Sequence, residues 1–88
     1  MIRTKMDNLI REFQDAVGSQ SKFIAVAVRI GDMKTKEVII NSVDSAEEKL
    51  EYYVKTYDQN LKHRFADVEI VDCAFGNDFF DLQARLEI

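Results

Sequence analysis

Lys22-Phe23-Ile24-Ala25-Val26-Ala27-Val28-Arg29-Ile30 decides how the rest of the chain is read. Its β-branched residues Ile24, Val26, Val28 and Ile30 share one parity and the alanines Ala25 and Ala27 the other, so a strand here is apolar on both faces. Such a strand belongs in the middle of a sheet that is covered on both sides. The alanines let a helix approach closely on one side, and the branched residues fill the other. Gly31-Asp32 opens a polar stretch through Lys36, after which Glu37-Val38-Ile39-Ile40-Asn41 reads as a second strand. A hairpin is the simplest connection. It is longer than the two-residue type, so the turn alone does not set the register.

Upstream, Met6, Leu9, Ile10, Phe13 and Val17 fall at the spacing that lines one helix face. Thr4 with Asp7 resembles a capping box, and Gly18 is placed to take the left-handed conformation that ends a helix. Downstream, Ser45 and Glu48 have capping-box spacing, and Ala46, Leu50, Tyr53, Val54, Tyr57 and Leu61 form the inward stripe of a helix running to about Leu61. Glu51 with Lys55 and Asp58 with Lys62 are acid-before-base pairs on its outer side, and Lys62, His63 and Arg64 complement its C-terminal dipole. Val68 and Ile70 have one parity and Val71, Cys73 and Phe75 the other. Ala66 to Phe75 is therefore a third strand that is either apolar on both sides or carries a bulge. After Gly76, Asn77 or Asp78 can cap a last helix with Phe79, Leu82 and Leu86 inward, although Leu82, Ala84, Leu86 and Ile88 also alternate as a strand would. Helix-forming composition favours the helix. The order α-β-β-α-β-α describes an α+β fold with a small three-stranded, mostly antiparallel sheet under helices. So few strands leave open edges, where a second copy or a partner chain could add a strand.

The composition sets outer limits. Eighty-eight residues, 47% of them hydrophobic, with three glycines and no proline, make one domain spanning residues 1–88. No apolar run approaches the ~18 residues of a membrane span, and no signal-peptide core follows the charges of Met1 to Met6. One cysteine, Cys73, precludes an internal disulfide and fits a reducing compartment, so a cytoplasmic location is expected. The net charge of −4 is unevenly spread: residues 65–88 carry Arg85 alone against Asp67, Glu69, Asp72, Asp78, Asp81 and Glu87. Without a basic face, direct nucleic-acid binding is not expected. The acidic segment is either ordinary solubilising charge or a patch for a basic partner.

Few residues suggest chemistry. His63 sits between Lys62 and Arg64 with no cysteine or carboxylate at metal-ligand spacing, and Cys73 lies in an apolar strand where a thiol acts as a small buried hydrophobe. Gly18, Gly31 and Gly76 stand alone rather than in a phosphate loop, while Glu47-Glu48 and Asp78 with Asp81 sit at helix starts, where acids serve the dipole. No catalytic, cofactor or metal site is expected. Two features suggest contact with a partner. Tyr52 lies off the inward stripe, and Phe79-Phe80 cannot both face one helix groove, with Asp72, Asp78 and Asp81 around them. Tyr52, Asp72, Asp78, Phe80 and Asp81 are the candidate partner-binding residues. A rival reading is an oligomer that holds a small ligand such as a nucleotide between subunits, with Lys22, Arg29, Lys34 and Lys36 as phosphate ligands.

Lys36-Glu37-Val38-Ile39-Ile40-Asn41, Lys49-Leu50-Glu51-Tyr52-Tyr53, Tyr57-Asp58-Gln59-Asn60-Leu61 and Ile70-Val71 to Phe75-Gly76 together resemble small uncharacterised proteins encoded by phages and prophages of Gram-positive bacteria. The likeness spans most of residues 6 to 84 and departs at Ser42, where a proline is expected. Its motifs are diffuse and include no catalytic signature, so no functional residue is carried over. The resemblance implies a setting: small acidic phage proteins that bind a host protein and block or redirect it, including antiviral components such as CRISPR nucleases. The expectation is a non-enzymatic accessory protein with a host protein of basic surface as partner, and a homo-oligomer as an option.

Overall fold

The computed structural model describes residues 3–32 and 36–87. Helix α1 spans Lys5–Gly18, strands β1 and β2 span Phe23–Ile30 and Glu37–Ser42, and a 3-10 turn, Val43–Ser45, leads into α2, Ala46–Thr56. Strand β3 covers Val68–Gly76 and helix α3 Phe79–Glu87. The sheet order is β2-β1-β3, with both pairings antiparallel. The α+β arrangement expected from the sequence is the one observed, and the C-terminal segment is a helix; Ile88 lies outside the described residues. The Cα radius of gyration is 12.5 Å, close to the ~12 Å of one packed body of this length. No helix among the described residues is long and apolar enough to cross a membrane.

The two faces of β1 are used as their side chains dictate. Ile24, Val26 and Val28 pack with Met6, Leu9 and Phe13 of α1, with Ala46 and Tyr53 of α2, and with Tyr57, Leu61 and Ile70. Ala25 and Ala27 meet Leu86 of α3 on the other side, flanked by Val38, Ile40, Val71 and Ala74. Thus α1 and α2 cover one face, and α3, which reaches all three strands, covers the other. Ile30 does not join this core: at the end of the strand it is 39% exposed.

A bulge resolves the mixed parity of β3. Ala27 is opposite Asp72 and Val28 opposite Ile70, so Val71 is one residue more than β1 can match. The extra residue reverses the alternation, and Val68, Ile70, Cys73 and Phe75 all reach the α1/α2 side despite their different parities.

Both ends of α1 are capped. The Thr4 hydroxyl accepts the Asp7 N–H at 3.1 Å, and the Asp7 carboxylate accepts the Thr4 N–H at 3.0 Å, the reciprocal box that the spacing predicts. The C-terminus differs from the expectation for Gly18. Here Ser21 N–H reaches Ala16 O and Gln20 N–H reaches Val17 O, so Gln20, at φ 58°, is the left-handed residue of a Schellman motif. Val17 is likewise turned outward at 53% exposure, and Ala16 takes the inward position.

The α2 region also departs from expectation. Ser45 makes no capping hydrogen bond; Ser42 caps the preceding 3-10 turn, whose Val43 carbonyl already takes the Ala46 N–H. The helix stops at Thr56 rather than near Leu61 because Asp58 offers its carboxylate to the backbone, accepting the N–H of Asn60 at 2.8 Å and of Lys62 at 3.0 Å. The predicted Asp58–Lys62 side-chain pair is thus a tight turn, with Leu61 at φ 62°. Tyr57 and Leu61 are still buried, whereas Val54 is 41% exposed. Lys62, His63 and Arg64 do not end a helix: Lys62 and His63 run back past Tyr57 and along β3. The Glu51–Lys55 pair forms as expected, at 2.7 Å.

Two substitutions test this account in urea denaturation. Ala27→Leu overfills the α3 side of the sheet and is expected to cost about 1–3 kcal/mol. Gln20→Gly relieves the left-handed cap and is expected to stabilise by up to about 1 kcal/mol.

Candidate functional site

The end of the sheet where β1 begins and β3 finishes is organised by α3. The Asn77 side-chain carbonyl accepts the Lys22 N–H at 2.9 Å, tying the start of β1 to the β3–α3 link. Asp78 caps α3 by accepting the Asp81 N–H on its carboxylate and the Leu82 N–H on its backbone carbonyl, each at 3.1 Å. Leu82 and Leu86 are buried beneath, and Asp81 pairs with Arg85 at 3.1 Å one turn along. This frame presents Phe79 and Phe80 at the surface. Phe79 packs edge-on against Phe23 with ring centroids 6.0 Å apart, and Phe80 against Phe79 at 5.7 Å. Phe80 is 79% exposed.

Three of the five candidate contact residues, Asp78, Phe80 and Asp81, therefore share one helix end. The other two lie elsewhere. Asp72 is four residues back along β3 from Gly76, roughly 13 Å, and its carboxylate accepts the N–H of Cys73 at 2.8 Å. Tyr52 is on α2, which packs on the opposite face of the sheet from α3; it is half exposed with its ring edge-on to Tyr53 at 5.5 Å. Sequence reasoning missed Phe65, which is 88% exposed and stacked edge-on beside His63 at 6.3 Å. An apolar ring among Lys62, Arg64 and polar neighbours, on no apolar stripe, was the available signal.

The proposed phosphate ligands do not converge within one copy. Lys22 precedes β1 and Arg29 sits near its far end, roughly 23 Å of extended chain away. Lys36 adjoins β2 at the Arg29 end, and Lys34 lies outside the described residues. Arg29 instead faces Glu69 across the β1–β3 ladder and borders an open groove of about 570 Å³ between α1 and β3, lined also by Lys5, Glu12, Asp72 and Cys73.

One titratable group of this groove, the Cys73 thiol, is strongly shifted. Burial pushes the Cys73 thiol up to about 12, and the Glu12 and Asp72 carboxylates add to that, so the thiolate nucleophile is scarce at neutral pH. His63 does not reach it. Its N–H donates to Val68 O at 2.8 Å, five residues from Cys73 along β3, and its Nδ1 accepts from Phe65 N–H at 3.0 Å. Among the described residues, no three His, Cys, Asp or Glu side chains gather as metal ligands. Comparison with protein families, with curated proteins and with solved structures returned no match.

The groove makes one testable statement about pH. Partial burial, with Asp15 and Asp72 close by, raises the pKa of Glu12 above the ordinary carboxylate range. The folded protein thus holds this proton more tightly than the unfolded chain, and the associated stability is present at low pH and lost as pH rises through the raised value. Glu12→Gln is expected to raise the thermal midpoint at pH 7, the difference from wild type closing near pH 3, where both forms are uncharged.

Proposed function

We propose that this chain is a non-enzymatic protein-binding module that acts by occupying a partner's surface, with the N-terminal end of α3 as its contact point. The observation that carries this reading is Phe80: a large ring, 79% exposed, already held in place by Phe79 and Phe23 behind it. An exposed aromatic that is ordered beforehand loses little entropy on binding, which suits it to be an anchor. Asp78 and Asp81 beside it favour a basic partner, and an arginine guanidinium fits both the ring face and the carboxylates. The resemblance to phage and prophage proteins supplies the setting, in which the partner is a host protein. Proteins that handle nucleic acid, antiviral nucleases among them, carry the basic surfaces that such a patch would cover.

The test is capture of a partner from a Gram-positive bacterial lysate by tagged wild-type, Phe80→Ala and Asp81→Asn proteins, at moderate and high salt. Asp78 is left intact because its loss would uncap α3. Wild type is expected to hold one protein stoichiometrically and less firmly at high salt, with Phe80→Ala weakening the complex about thirtyfold, as loss of a hot-spot ring does. Capture unaffected by either substitution, or no stoichiometric partner, would overturn the reading.

A further inference from the structure

The two edges of the sheet are treated differently. On β3, Leu61 O accepts the Ile70 N–H and Val68 O accepts the His63 N–H, so the 61–63 segment occupies the first half of that edge. Further along, the bulge at Val71 breaks the edge, and the Asp72 carboxylate takes the N–H of Cys73. A covering segment, a bulge and a charge are the devices that keep a strand edge from pairing with another chain.

Apart from the charge of Glu37 at its start, the edge of β2 carries none of these among the described residues. Val43 N–H donates to Lys22 O, which fixes the alternation of the β1–β2 ladder: Ile24 with Asn41, Val26 with Ile39 and Val28 with Glu37 are the hydrogen-bonded pairs. The backbone groups of Val38, Ile40 and Ser42 therefore point away from β1. No proline, bulge or central charge interrupts Glu37–Ser42, and Ile39, on the α1/α2 side of the sheet, is 36% exposed.

We propose that this edge pairs with the same edge of a second copy, antiparallel about a two-fold axis at Ile39. In that register Val38 meets Ile40 of the other copy as a hydrogen-bonded pair and Ile40 meets Val38, giving about four central backbone hydrogen bonds. Ile39 faces its own copy in the close, non-bonded pair between them, joining two half-exposed side chains. Glu37 falls opposite the neutral Asn41, so no like charges meet, which a strand from an arbitrary partner would not ensure. The covering helices allow it. Helix α3 reaches all three strands and so is centred over the middle one, and the two middle strands of a joined sheet are three spacings apart, about 14 Å, which exceeds a helix-packing distance of about 10 Å. On the other side α1 lies over β1 and β3, and α2 packs chiefly on α1 and the 3-10 turn rather than on β2. The dimer has a continuous six-stranded antiparallel sheet, and a contact confined to one short edge strand from each copy belongs with weak, reversible associations.

Ultracentrifugation of the wild-type protein from about 5 to 300 μM is expected to show a monomer–dimer equilibrium in the micromolar range. Ile39→Lys places two ammonium groups across the axis and is expected to weaken it at least about tenfold with an unchanged circular dichroism spectrum. The register is read separately in a Cys73→Ala background. There Ile39→Cys is expected to form a disulfide dimer under a glutathione couple, because the two thiols face each other in a non-bonded pair, and Ile40→Cys is not. A monomer throughout the concentration range, or equal cross-linking at both positions, would overturn the proposal.

Discussion

Everything in this fold is arranged around one strand that is paired along both edges and apolar on two unlike faces. Pairing with β2 and β3 satisfies the backbone of β1, which lets Ile24 through Val28 be fully enclosed. Its faces then determine what can cover them. Alanines at 25 and 27 admit a helix lying close and flat, and α3 is short with two buried leucines. The branched side leaves a deeper space, which takes two helices and the rings of Phe13, Tyr53 and Tyr57 in edge-to-face contact. Burial raises the Tyr53 phenol to about 12, as expected for a ring held in an apolar layer.

The flanking strands bear the consequences of that choice. Three segments contribute to a sheet that cannot close on itself, and β3 reconciles its two apolar parities by inserting Val71. The same insertion bends and spoils its outer edge, so a packing solution also protects against unwanted pairing. Strand β2, whose regular alternation needs no such correction, keeps its outer edge intact. The exposed ring of Phe80 is held by contacts at the sheet end rather than at the sheet edge.

The sequence was most legible where one physical cause acted alone. Parity in Phe23–Ile30, the three-and-four spacing of Met6, Leu9 and Phe13 and the Thr4–Asp7 box each point to a single structure, and each forms. It was least legible where local hydrogen bonding competed with periodicity. Tyr57 and Leu61 continue the apolar stripe of α2 and are buried as the stripe requires, but the Asp58 carboxylate redirects the backbone between them. Gly18 offered a helix stop by composition, yet the left-handed residue is Gln20, since the last helical hydrogen bonds, not the glycine, fix where the cap falls. For the candidate surface, adjacency in sequence located Phe80, Asp78 and Asp81 together, whereas Tyr52 and Asp72 belong to other parts of the molecule because layer assignment depends on long-range packing.

The double pairing of β1 also orders the assembly of the protein. Its first edge is closed by residues as near as Val28 and Glu37, nine positions apart, but its second requires Ile30 to find Val68, thirty-eight positions away. Loop-closure entropy makes the hairpin the cheaper step, so β1 pairing with β2 while the other edge is still bare is the less costly order. A half-built sheet of this kind is a hazard in proportion to the apolar surface it displays. On the face that awaits α3, β1 contributes only Ala25 and Ala27, and Val38 and Ile40 of β2 supply the rest of the apolar surface. The side chains that let α3 lie close in the finished protein also reduce what the unfinished sheet shows along its middle strand.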